Sequence, residues 1–121
     1  MAIGSIVAFR GVNVTGGVQV NGTPGGPFDA APGTLNLADS DVATATSLTT
    51  VTNGAAVVML AQVNNSRTYS NWSTANMGGL TELYDHVSTS VDEASVGAAW
   101  MLADVPGPTG DGTVDLSDAD W

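Results

Sequence analysis

The stretch VATATSLTTVTNGAAVVMLAQV, residues 42–63, decides the fold class. Its first half, 42–52, alternates small apolar residues with threonine and serine at a period close to two. That is the chemistry of a half-wet β-strand. Its second half, 55–63, is apolar almost throughout and reads as a strand in the centre of a sheet. Asn53-Gly54 lies between them, the strongest short-range signal for a type I′ hairpin. Two strands of this kind make a helical protein untenable. The rest of the chain extends the same reading.

Upstream, SIVAFRGVNV (5–14) is dense in β-branched and aromatic residues and reads as a buried strand. Residues 15–33 are rich in glycine and proline and read as a long loop, with a small hairpin around Val18 to Val20 and a turn at Asn21-Gly22. Downstream, 64–79 is a second long polar loop. LTELYDHV (80–87) alternates as a strand. ASVGAAWMLAD (94–104) has enough alanine for a helix. Gly97 opposes that, at a cost of about 1 kcal/mol in a helix interior, and the alternation of Val96, Ala98, Trp100 and Leu102 favours a strand. VPGPTGDG (105–112) is a turn, and TVDLSDADW closes the chain with Val114 and Leu116 on one face. The expectation is an all-β fold: a single antiparallel β-sandwich over 1–121, jelly-roll-like, with short Gly-rich turns and two long loops.

Composition narrows the function classes. Hydrophobic residues make up 43% of 121, enough for one core. Arg10 and Arg67 are the only basic residues, and the net charge is −10. Such a chain repels phosphate backbones and anionic lipid, so neither nucleic acid nor membrane is an expected partner. No run approaches the ~20 apolar residues of a membrane span, and MAIGSIVAF lacks the basic start of a signal peptide. The absence of cysteine excludes disulfides, thiolate metal sites and cysteine nucleophiles.

The acidic close, GDGTVDLSDADW (110–121), invites a calcium reading. An EF-hand-type loop needs oxygen ligands at its first, third and fifth positions, glycine at the sixth and a carboxylate at the twelfth. With Gly112 sixth, Asp111 and Asp118 fit, but Gly107 and Thr109 stand where the first ligands belong. The strand reading explains more. No cofactor is expected, and Asp111, Asp118 and Asp120 leave room only for a loose surface calcium site.

In this order GSIVAFRGV (4–12), Pro27-Phe28-Asp29, ATATSLTTVTNGAAVVML (43–60), GGLTELYD (78–85), ASVGAAWMLAD (94–104) and GTVDLSDADW (112–121) resemble a family of lectin-like β-sandwich domains. That family occurs in bacteriophage structural proteins and in bacterial surface or secreted proteins. The resemblance is carried by strand and turn patterns and brings no functional residue with it. It implies a virion or extracellular location. It also implies further strands before 5–14 and beyond Trp121, which neighbouring copies in a homo-oligomer or filament, or other virion or surface proteins, would supply.

Candidate chemistry is sparse. His86 has Asp85 beside it and Asp92-Glu93 close by, but adjacent strand residues point to opposite faces. Glu82 and Asp85 have the character of a glycosidase pair, yet an unbroken strand separates them in the same way. No Gly-x-Ser-x-Gly elbow occurs. Four glycosylation sequons start at Asn13, Asn21, Asn64 and Asn71, as expected by chance in a chain this rich in Asn, Ser and Thr. Tyr69, Asn71 and Trp72 in the 64–79 loop are the candidates for binding glycans, because exposed aromatic rings flanked by amides can stack a sugar face. The competing expectation is that Trp72 plugs the end of the sandwich. The functional expectation is therefore a non-enzymatic structural building block, with a carbohydrate-binding module as the alternative.

Overall fold

A computed structural model describes residues 4–37, 40–88, 91 and 93–117. Among these there is no helix, and every strand pairing is antiparallel. The strands are β1 (Gly17–Val18), β2 (Pro24–Gly26), β3 (Val42–Ala45), β4 (Thr49–Thr50), β5 (Ala55–Val63), β6 (Tyr69–Thr74), β7 (Gly78–Gly79), β8 (Thr81–Ser88), β9 (Ala94–Ala103), β10 (Gly107–Pro108) and β11 (Gly112–Leu116). A four-stranded sheet, β3-β11-β6-β7, faces a three-stranded sheet, β5-β9-β8. The pairs β1-β2 and β4-β10 stand outside them. The expected all-β sandwich is the observed fold.

Alternation puts the core between the sheets. Gly112, Val114 and Leu116 of β11 turn inward, and Thr113 and Asp115 turn out. Val114 and Leu116 join Tyr69 and Trp72 of β6, and from the opposite sheet Met59 and Ala99 close the cluster. A smaller cluster, Ala55, Val57 and Ala103, lies beside Met77 and Met101. On β9 the inward residues are the small ones. Gly97 has a physical reason to be glycine: a Cβ there would lie 2.8 Å from the Tyr69 ring and 2.9 Å from the Trp72 ring. The rings of Tyr69 and Trp72, 5.5 Å apart, fill the space that this missing side chain leaves.

Two bulges set which residues face inward. On β6, Ser73 pairs with Thr113 and Ser70 with Asp115, so Asn71 and Trp72 share the space opposite one residue of β11. Asn71 takes the left-handed conformation, φ 56°, and its amide donates to Asp115 at 2.8 Å. This extra residue turns Trp72 inward three positions after Tyr69 rather than two. On β8 a second irregularity falls between Glu82 and Tyr84.

Four sequence expectations are corrected. Residues 5–14 form no strand; Ile6 is 96% exposed and only Phe9 makes an aromatic contact, with Trp100 at 5.6 Å. β-Branched composition favours an extended backbone but does not supply a strand to pair with. Asn53-Gly54 is a turn, yet not a type I′ hairpin: Gly54 has φ 72° while Asn53 is not in the positive-φ region that such a turn needs. Instead β4 pairs with β10 and β5 with β9, so residues 49–63 run antiparallel to 95–108, and Gly54 N donates to Ala103 O at 2.7 Å. β5 is accordingly an edge strand, not a central one. Finally, 64–79 is not one loop but contains β6 and β7. The small hairpin expected near Val18 is present, with Gly22 in its turn at φ 84°.

Asp29 fastens the first loop to the sandwich. Its carboxylate accepts from Val51 N at 2.6 Å and from the amide and hydroxyl of Thr52. Partial burial raises the Asp29 pKa, but these three hydrogen bonds outweigh it and hold the group below the usual carboxylate value.

Candidate functional site

The sandwich is open along one side. β3 is the edge of one sheet and β5 the edge of the other, and no described strand bridges them. Between them runs a groove of about 1130 Å³. Consecutive residues of β5 from Val57 to Val63 line it, both the inward-facing and the outward-facing ones, so the strand presents its edge there. Residues 32–37 form the other wall with β3, and Leu35 and Leu37 are 83% and 85% exposed. Arg67 stands at one end. It is buried, and its Nη1 donates to Asp41 Oδ1 at 2.7 Å and to Ser117 O at 3.3 Å. The outer face of the three-stranded sheet is also apolar, with Val58, Leu60 and Leu102 exposed.

The sequence-predicted residues are elsewhere. Tyr69 and Trp72 are each 5% exposed and lie in the core, so neither ring face is open to a sugar. Tyr69 Oη donates to Ser95 O at 2.9 Å. Burial raises its pKa, and the nearby Asp85 carboxylate adds to this against the opposing Ser95 hydrogen bond. Trp72 Nε1 donates to Glu82 Oε2 at 3.0 Å. Asn71 is exposed and is engaged with Asp115.

The bulge on β8 overturns one piece of strand arithmetic. Glu82 pairs with Ala99 and Asp85 with Gly97, both on the inward side of β9, so the two carboxylates share a face after all. Each is engaged with β6: Glu82 with the indole of Trp72, and Asp85 Oδ2 with Tyr69 N at 3.0 Å. His86 pairs with Val96 on the other face and stacks on Tyr84 at 5.3 Å.

Asp111 Oδ1 accepts from Ser47 N at 3.0 Å, which ties the turn before β11 to the segment after β3. Asp118 and Asp120, its proposed calcium partners, lie outside the described residues, as do Asp92 and Trp121. Among the described residues no three His, Asp or Glu side chains converge as a metal site.

No family model, curated protein or solved structure matches this chain. Its own geometry is what a functional reading must stand on.

An edge left for neighbouring copies to cover was expected from the sequence; that it belongs to β5, read there as a central strand, was not. A run as apolar as 55–63 suggests two covered faces and two paired edges, but composition does not say whether the second neighbour belongs to the same chain. The one available signal was the absence of lysine, the residue that commonly blunts free edges.

Proposed function

We propose that this chain is a non-enzymatic structural building block that assembles with like copies, in a virion or another extracellular structure. The observation that carries the proposal is the free edge of β5, nine residues long and bordered by an apolar groove. An edge of unpaired amides and carbonyls over apolar side chains is a template for another strand. The exposed Val58, Leu60 and Leu102 on the adjoining sheet face extend the sticky surface.

The carboxylates that the sequence offers for chemistry, Glu82, Asp85 and Asp111, are engaged in holding the sandwich together. Glu82 anchors Trp72, Asp85 anchors the start of β6, and Asp111 anchors a turn. This supports a structural rather than a catalytic role. The virion or extracellular setting rests on the family resemblance of the strand patterns.

Light scattering over a concentration series tests the proposal. Masses at multiples of 12.1 kDa, persisting at micromolar protein, are expected. A folded monomer throughout that range would overturn it.

A further inference from the structure

We propose that residues 5–14 of one copy are the strand that completes the open seam of the next, adding to the free edge of its β5. This rests on the assembly reading above and names its joint.

Three observations converge on this arm as the occupant. The first is length. The arm has ten residues against nine in β5, and at about 3.3 Å per residue the two extended segments match end to end.

The second is unused strand chemistry. Ile6, Val7, Phe9, Val12 and Val14 are all exposed, and the arm forms no strand in its own chain. Its Phe9 lies against Trp100, on the outer face of β9. The arm therefore leans on the flat of its own sheet rather than lying in the plane of a strand. The side chains with high strand propensity and the edge that lacks a strand are both present in each copy, but unpaired with one another.

The third is charge. Residues 1–28 carry Arg10 and no carboxylate, while residues 29–121 carry all twelve acidic residues and only Arg67. The arm is the one cationic segment of an otherwise strongly anionic chain. Its natural counter-surface is the body of another copy.

Addition of this kind is head-to-tail. Each copy gives one arm and receives one, so the product is a closed ring or an open filament according to the rotation between copies. Main-chain hydrogen bonds along β5 provide the affinity. The alternate arm side chains that enter the groove against Met59, Ala61 and Val63 provide the register.

The test uses the full chain. Ile6→Asp/Val12→Asp disables the arm and leaves every described strand untouched. It should run in light scattering as a 12.1 kDa monomer that still unfolds in a single cooperative transition, at a temperature that no longer depends on protein concentration. Ala61→Lys places a charge in the groove at the receiving edge and should also be monomeric. Mixed, the two variants retain one good arm and one good edge between them, and should form a heterodimer that grows no further. If the arm variant assembles like the parent, the joint is wrong while the assembly reading survives. If the parent is itself a monomer, both fall together. If Ala61→Lys does not fold by circular dichroism, the arm variant decides alone.

Discussion

Gly97 and Trp72 make one residue-scale argument from two sides. The glycine leaves a gap in β9, and the indole, with the Tyr69 ring, fills it. Gly97→Ala forces a methyl to within 3 Å of both rings and should cost about 1–3 kcal/mol by overpacking. Trp72→Ala removes the filler and leaves a cavity between the sheets, and should cost about 3–5 kcal/mol. Urea unfolding midpoints measure both, and a near-neutral Trp72→Ala would contradict its place in the core. The neighbouring phenol adds a pH dependence. Tyr69 is neutral when protonated, and its folded-state pKa is raised above the ordinary value of about 10. The folded chain thus holds this proton more tightly than the unfolded chain. The corresponding stability is fully present below pH ~10 and is lost as pH rises from there through the folded-state pKa. Melting temperatures followed across that range should fall less steeply for Tyr69→Phe than for the parent; parallel curves would refute the assignment.

Among the elements, β9 and β11 were legible because each keeps a period of two with its small or apolar residues on one side, and β8 was legible from its composition although a bulge breaks its period. β6 was not. Its inward residues are Tyr69, Trp72 and Thr74, a spacing of three and then two, which reads as no period at all among serines and an asparagine. The bulge at Asn71 is the cause, and it hid the strand and the burial of Tyr69, while the burial of Trp72 is the outcome that the plug expectation named. The bulge on β8 likewise moved Glu82 and Asp85 onto one face. The hairpin at Asn53-Gly54 failed for another reason: the turn signal is local, but the long ribbon of 49–63 against 95–108 gives both flanking runs other partners. Asn71 itself is open to test. Asn71→Gly keeps the left-handed backbone without strain and loses only the exposed bond to Asp115, so it should change stability by less than about 1 kcal/mol. Asn71→Val puts a β-branched residue at φ 56° and should cost about 1–3 kcal/mol. Equal stabilities for the two variants would mean that the bulge does not constrain the backbone in solution.

In the proposed joint two long-range effects oppose each other: copies that carry −10 each repel, while the arm of one copy, with Arg10 and no carboxylate, would meet the anionic body of the next. Repulsion between whole copies acts over the separation of their surfaces and is screened once the Debye length falls to about 8 Å at physiological salt. The contact made by Arg10 in an assembled joint is short and is screened less. Raising the ionic strength from about 10 mM to about 150 mM should therefore strengthen association, by removing more repulsion than attraction. Acidification toward the isoelectric point near 4.1 should act in the same direction by discharging carboxylates on both bodies. Arg10→Ala separates the two contributions. It makes every copy more negative and removes the arm's one cation, so it should weaken association most at low salt and approach the parent as salt rises. Sedimentation of parent and variant at several salt concentrations measures this directly. An association that weakens steadily with salt in the parent would mean that attraction between opposite charges, rather than strand addition against a background of like charge, holds the copies together.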